Sequence, residues 1–488
     1  MKRISALLLA VFFCKFASVG VSHADGIDIK VKGQWDFAFG WSDNTRFVDN
    51  VHGDRGRRDD DNWIARHRIR TQINFITSEY LQGVLMFEIG NLDWGRANGN
   101  SGRSSGGALD ADGVNIETKR AFLDWIIPNT EISVRMGIQG VKLPSTPMGS
   151  GIFDADVAGV VVSSPVTDWM SITGFWLRPF DAYSNDSDAG WGGDRHYDDE
   201  TDIFGVILPF TGDGWSFSPW GMYSWVGANS GIYDYLFRGS SVNTVSAQNS
   251  HTKAWWAGAH LELTLLDPFV FNIDGAYGRI NRADLDGLVA GPRTNYGTKG
   301  WFIAATLDYK LDWGTPGIFG WYGSGDDDDA LDDGMLGRLP TLGTDQGFQA
   351  TSFGMAGTCS IGTDSVVNIT GTGTWGIGIK IADVSFIEDL SHTLRFAYYQ
   401  GTNDHDLVKK NGGNSVLKYA ADGLYLTDKD SVYEVNFDHT YKIYENLTAV
   451  LELGWLHLDA DRGTWGRTGN KDETSDAWKA QVMFQYKF

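Results

Sequence analysis

The sequence predicts an all-β transmembrane antiparallel barrel, with 18 strands counted and 16 as the alternative. Three observations carry this: strict two-residue alternation at both ends of the mature chain, hairpins whose links are alternately short and long, and an apolar leader with no later helical span. In Ser475–Phe488, Trp478, Ala480, Val482, Phe484, Tyr486 and Phe488 share one face, while Lys479, Gln481, Met483, Gln485 and Lys487 share the other. Side chains alternate across a strand, so such a segment shows an apolar row to lipid and a polar row to water inside a barrel.

The segment near the other end repeats the pattern. Ile27, Ile29, Val31, Gly33, Trp35, Phe37, Phe39 and Trp41 lie on one face, with Asp28, Lys30, Lys32, Gln34 and Asp36 opposite. About 9–11 tilted residues cross an outer membrane, and this stretch is longer. Pairing of first and last strands removes the unpaired edges that lipid does not tolerate.

The leader is read from Lys2 and Arg3, the apolar run Ile4–Cys14 and the small-residue site Ser22-His23-Ala24. It predicts a cleaved signal peptide over 1–24 and a single barrel domain over 25–488. The leader run is too short for a stable span, and no later stretch approaches the roughly 20 apolar residues of a transmembrane helix. Hydrophobic residues make up 42% and mean hydropathy is −0.24, as expected when only alternate strand residues meet lipid. With Cys14 in the leader, Cys359 has no intramolecular partner. Loss of Lys2, Arg3 and Lys15 takes the formal charge from −22 to about −25, which argues against nucleic-acid binding.

Eight hairpins fill the interior. The expected strand pairs are Trp63–Phe75 with Leu81–Ile89, Arg120–Ile127 with Ile132–Gln139, Ala158–Ser163 with Trp169–Trp176, and Ile203–Leu208 with Trp215–Trp225. Trp255–Leu263 with Phe269–Tyr277, Phe302–Tyr309 with the weak Ile318–Tyr322, Thr372–Ile381 with Thr393–Gln400, and Val432–Tyr441 with Thr448–Trp455 complete them. Turn residues mark the short links. Between pairs run long Gly/Asp/Ser/Asn-rich stretches such as Asn91–Thr118, Pro179–Asp202, Gly227–Lys253 and Gly325–Ser365. Short periplasmic turns and long external loops are the barrel signature.

Leader, hairpins and a terminal strand ending in Phe together resemble the trimeric general porins of the bacterial outer membrane. The resemblance spans the mature chain as architecture, with loose local motifs. It implies a homotrimer in the outer membrane, contact with outer-membrane lipid and lipopolysaccharide, and reading of the terminal Phe by the barrel-assembly machinery. It also implies a water-filled channel for small hydrophilic solutes and ions.

Arg66, Arg68 and Arg70 share a strand face with Gln72 and Asn74, opposite Ile69, Ile73 and Phe75. Arg near the bilayer midplane costs about 2–4 kcal/mol, so these residues must line water or meet acids. They resemble the basic ladder of the porin constriction; Lys30, Lys32 and Arg135 have the facing to join it. The alternative is a ladder tied up in structural salt bridges or hidden under a loop. The resemblance places a constriction loop at Gly140–Val157, whose Asp154 and Asp156 would face the arginines and set a transverse field. An ordinary external loop is the alternative.

Acidic runs at Asp59-Asp60-Asp61, Asp198-Asp199-Glu200 and Asp326–Asp329 with Asp332-Asp333 are read as solvated external-loop charge; none has calcium-loop spacing. Scattered histidines lack metal-ligand spacing, Asp438-His439 sits on opposite faces, and Cys359 has no local base, so no enzyme, cofactor or metal is expected. Two rivals to passive diffusion remain: a substrate-specific sugar-type channel, and a surface or adhesion barrel using its long loops. Trp35, Phe37, Phe75, Phe87, Phe484 and Tyr486 fall on the outward face, favouring girdles over a sugar track.

Overall fold

The computed structural model describes residues 26–45, 47, 62–96, 107, 116–181, 200–228, 230–237, 251–284, 295–344, 347–359, 361–410, 423–465 and 476–488. The expected leader, the Asp59–Asp61 run and Asp198-Asp199 lie outside the described residues.

Eighteen antiparallel strands form one closed sheet. In chain order they are β1 Asp28–Asp43, β2 Asn62–Ser78, β3 Leu81–Asp93, β4 Ile116–Ile126, β5 Ser133–Lys142, β6 Phe153–Thr167, β7 Met170–Phe180, β8 Thr201–Ile207 and β9 Trp215–Val226. There follow β10 Thr252–Leu263, β11 Phe269–Asp284, β12 Asn295–Tyr309, β13 Thr315–Gly323, β14 Thr374–Ile387, β15 Leu390–Gly401, β16 Ser431–Tyr444, β17 Leu447–Asp459 and β18 Asp476–Lys487. Strand β8 is interrupted at Leu208-Pro209, where proline has no N–H for the ladder, and resumes over Phe210–Gly212 against β9. The expected strand boundaries shift most at the weak hairpins. Ile318–Tyr322 is the middle of β13, and Thr372–Ile381 begins β14, which runs on to a turn at Glu388-Asp389.

The seam pairs β1 with β18 from Gln34↔Lys487 to Asp43↔Trp478. Beside it, Gly33 and Phe488 exchange both backbone hydrogen bonds, at 2.9 and 3.1 Å. The Phe488 ring lies over Gly33 so closely that a Cβ there would sit 2.6 Å from a ring carbon. Only glycine fits that position.

Alternation sorts the wall as the sequence implied. Asp36, Ala38 and Ser42 of β1 are buried inward, while Trp35 and Trp41 are exposed outward. Exposed aromatics gather near both ends of the strands: Phe269, Trp313, Phe386, Tyr441 and Tyr444 by the short turns, and Trp63, Trp225, Trp255, Trp301 and Trp478 near the other rim. Aliphatics such as Ile303, Ile318, Ile377, Ile379 and Leu394 occupy the band between. Amphipathic rings at two levels with aliphatic surface between them define a bilayer-spanning barrel.

The apolar core lies inside the barrel. Leu143, Met148, Ile152, Leu339, Leu342, Phe348, Phe353 and Met355 from connecting segments pack onto the inward-facing Trp256, Phe302, Trp321 and Tyr399 of the wall. Gly325–Ser365, expected outside, therefore folds inward. Its aromatics and aliphatics are too numerous for an aqueous loop and are satisfied by the apolar inner faces of β10–β15.

Candidate functional site in the lumen

Two connections narrow the lumen. The first, residues 143–152 between β5 and β6, is the central part of the expected constriction segment. Its Thr146 N–H donates to Asp274 Oδ2 on β11 at 2.9 Å, so the segment reaches the far wall. The second, residues 324–373 between β13 and β14, is larger and holds the first in place. Leu342 N–H donates to Ile152 O at 2.8 Å, and Gln349 N–H to Met148 O at 2.6 Å.

The longer loop is seated on inward side chains of β16–β18. Glu434 Oε1 accepts from Phe353 and Gly354 N–H at 3.1 and 3.0 Å, and Asn436 Oδ1 accepts from Ser352 N–H at 3.1 Å. Glu452 Oε1 accepts from Thr358 and Cys359 N–H at 2.7 and 3.0 Å, and Gln481 Oε1 from Thr363 N–H at 2.8 Å. The loop finds only two short parallel ladders among the described residues, Met335–Leu336 with Gly297–Thr298 and Gly343–Thr344 with Phe153–Asp154. An unmade buried backbone bond elsewhere costs about 1–3 kcal/mol, so wall carboxylates and amides supply acceptors. Lys479, wholly buried, donates to Asp364 at 2.6 Å and Glu452 at 2.8 Å, and also to Ser352 O. One ammonium thus faces two carboxylates, and burial pushes the Asp364 carboxyl up to about 7 against the pull of Lys479.

The arginine ladder faces the lumen, each member with a carboxylate. Arg66 Nε meets Asp93 at 2.5 Å, Arg68 meets Asp36 at 3.3 Å, and Arg70 Nε meets Glu88 at 2.5 Å. Arg68 is buried, its side chain only 7% exposed; Arg66 and Arg70 are more open. Arg66 also donates through Nη1 to Ile361 O at 3.2 Å, so the longer loop crosses from β13–β14 to touch β2. Lys30 and Lys32 stand opposite Asn74 and Gln72, towards the short-turn mouth, and Lys30 lies 3.8 Å from Asp28. Arg135 is held by Asp124 at 2.6 Å and stacks 4.6 Å over Phe122.

Asp154 and Asp156 differ from expectation. Both lie on β6, outside the loop, alternating with Phe153, Ala155 and Val157, which pack in the interior core. Asp154 pairs with Lys142 at 3.4 Å. Pairing of β4 with β5 stops at Ala121↔Ile138, while β5 runs on with β6 to Lys142↔Asp154. Where β4 and β5 part, Asp156 meets Lys119 and Arg120 of β4, both at 2.7 Å. A bulge between Met86 and Phe87 shifts the β3–β4 register past Lys119. The β5–β6 strands are longer than the turn chemistry suggested, so the ladder takes its acids from β1 and β3.

Asp326 is also a correction. It is buried, accepting from Gly337 N–H at 2.8 Å and from the Tyr425 hydroxyl at 2.9 Å. Across the lumen from the ladder, Lys380 meets Asp308 at 2.9 Å and Arg395 meets Asp438. These cations, with Met148, Gln349, Ser352 and Thr358, line a cavity of about 150 Å³ at the foot of the two loops.

Sequence reasoning missed Glu434, Asn436 and Glu452 as loop holders. The available signal was a polar row at alternate positions of β16, Glu434, Asn436 and Asp438. Cys359 is buried.

Fold and lumen define an integral outer-membrane β-barrel with the porin architecture. No family model and no curated protein matches the chain. Among solved structures it is similar to a doubly substituted variant of OccD1 (OprD), with a TM-score of 0.50 and 12% identity over 96% of this chain and 97% of that one. The outer-membrane protein OprD from Pseudomonas aeruginosa gives 0.49 and 11% over 96% and 95%, and OpdK from the same organism, solved with vanillate, 0.48 and 10% over 95% and 100%. At such identities the likeness is one of fold, and the OccD1 comparison carries it.

Proposed function

We propose that this barrel is a passive channel for small hydrophilic solutes and ions, narrowed between the arginine ladder and the longer inner loop. The observation that carries this reading is the Arg66–Ile361 contact: a loop rooted on the opposite wall reaches the ladder. Arg66 and Arg70 are the ladder members open enough to meet a passing solute; Arg68 supports them from below the surface. Lys30 and Lys32 act at the periplasmic mouth, and Arg135 acts lower on the wall beside Phe122. Asp93 and Glu88 supply the transverse field expected of Asp154 and Asp156. Because each ladder cation faces an acid, the channel is weakly selective, with direction set by small imbalances rather than by a bare basic wall.

A sugar track is disfavoured by the aromatics. Trp220, Trp256, Trp321 and Tyr399 point inward, but the loops bury them, so they offer a solute no stacking surface. A homotrimer, lipopolysaccharide contact and assembly through the barrel-insertion machinery remain part of the proposal on resemblance to general porins. Liposome swelling with small sugars tests permeation, and no swelling would overturn it. Single-channel recording with added oligosaccharide tests the sugar-track rival, where saturable block is the contrary result. Cross-linking in mild detergent tests the trimer.

A further inference from the structure

His392 of β15 and His439 of β16 stand directly opposite in register, on the outward face that also carries the exposed Leu394 and Phe437. Their Nδ1 atoms lie 2.6 Å apart, their ring centroids 4.8 Å apart, and their planes cross at 86°. Phe437 packs on both rings, at 6.1 Å from His392 and 4.2 Å from His439. The pair sits near the short-turn end. His392 follows the Glu388-Asp389 turn by two residues of strand, and exposed Phe386, Tyr441 and Tyr444 mark the interfacial level. Two imidazoles are out of place on a surface that otherwise meets hydrocarbon, yet interfacial depth leaves them water on one side.

We propose that His392 and His439 form a two-nitrogen site for a borderline divalent transition-metal ion, with Cu²⁺ preferred, at the periplasmic membrane interface. A hydrogen bond between two Nδ1 atoms needs one of them unprotonated and accepting, so one Nδ1 already carries a free lone pair directed at its neighbour. Metal–imidazole bonds are about 2.0–2.1 Å, which sets two cis nitrogens about 2.9 Å apart at a right angle and about 3.4 Å apart at a tetrahedral one. The pair needs to open by only a few tenths of an ångström for the right-angled arrangement, which tetragonal Cu²⁺ favours over tetrahedral Zn²⁺. Neighbouring strands fix both backbones, and Phe437 limits ring rotation, so little freedom is lost on binding. Among the described residues no carboxylate completes the set; waters or an anionic lipid headgroup supply the other positions.

The test uses the full chain in detergent, stripped with chelator and titrated with Cu²⁺ alone. One ion per chain at micromolar affinity, with an electron paramagnetic resonance signature of two coordinated nitrogens, is expected. His392→Ala and His439→Ala should each weaken binding at least tenfold, while His457→Ala, whose ring instead bonds Asp476 at 2.7 Å, should leave it unchanged. His392→Gln, retaining a polar group for folding, should behave as His392→Ala, with heat-modifiable gel mobility confirming a closed barrel. Undiminished affinity in either pair variant, a one-nitrogen signature, or loss in His457→Ala would overturn the proposal.

Discussion

Two parts of the lumen use the same side chains differently. On β1–β4, carboxylates face guanidiniums: Asp36, Glu88 and Asp93 each hold one arginine of the ladder. On β16–β18, Oε1 of Glu434 and of Glu452 each accepts from two backbone N–H groups of the inner loop, while Glu452 Oε2 meets Lys479 and Gln481. The first region is open in part and sets a field. The second is closed and sets a shape. A lumenal acid therefore cannot be assigned a role from its position on the strand; its role follows from whether its partners are wall guanidiniums or backbone amides of the inner loop.

The largest expected effect breaks the shape-setting side. Glu434→Ala leaves the N–H groups of Phe353 and Gly354 and the hydroxyls of Thr351 and Tyr399 without their acceptor. At about 1–3 kcal/mol for each buried group left unmade, the inner loop should lose its seat. Single-channel recordings should show flicker and raised conductance, and protease should cut within 347–359, while the barrel keeps its heat-modifiable mobility. Quiet, unchanged conductance would erase the distinction between the two walls.

The field-setting side should respond in selectivity. Arg70→Gln, which leaves Glu88 with Lys119 at 3.9 Å, is expected to raise cation-over-anion permeability about two- to threefold in reversal-potential measurements, about 0.4–0.7 kcal/mol per ion. Asp154→Asn should barely move it, since that carboxylate pairs with Lys142 at 3.4 Å rather than with the Glu88–Lys119 group. Equal effects would place Asp154 at the constriction.

Proton linkage gives a smaller effect. Burial raises the Asp364 carboxyl to about 7 from its ordinary value of 3.8, so between those limits the native state holds the proton more tightly than the unfolded state does. Its contribution to stability therefore rises as pH falls from 7 towards 4 and is lost as pH rises through 7. The loop should become quieter in recordings at pH 6 than at pH 8, and Asp364→Asn should remove the difference.

The smallest effect concerns Asp461, whose Oδ2 accepts from Thr464 N–H at 2.7 Å and from its hydroxyl at 2.6 Å at the start of the short helix Arg462–Trp465. Asp461→Ala should cost about 1 kcal/mol locally, seen as faster amide exchange at Thr464 and Trp465 with no change in permeation.

The barrel was legible because its signal is one-dimensional: Trp478 to Phe488 and Ile27 to Trp41 alternate whatever surrounds them. The inward facing of Arg66, Arg68 and Arg70 was legible for the same reason, since lipid excludes them. Which loop enters the lumen was not. Residues 324–373 contain both Asp326–Asp329, which reads as solvent-facing, and Phe348, Phe353 and Met355, which need cover. The cover comes from Trp256, Phe302 and Trp321 on strands far away in sequence. The partners of the ladder were hidden likewise, because Asp36, Glu88 and Asp93 approach through register that periodicity alone does not fix.

The pairing of Gly33 with Phe488 joins residues almost a whole chain apart. Among the eighteen wall strands described, the other pairings join sequence neighbours at little loop-closure entropy; this one closes the whole ring. Until it forms, β1 presents an open row of amides and carbonyls to its surroundings, and the sheet is a curled ribbon with two sticky edges. Loop-closure entropy therefore makes the seam the costliest pairing of the wall to form, and an unsealed barrel would expose both edges to misassociation.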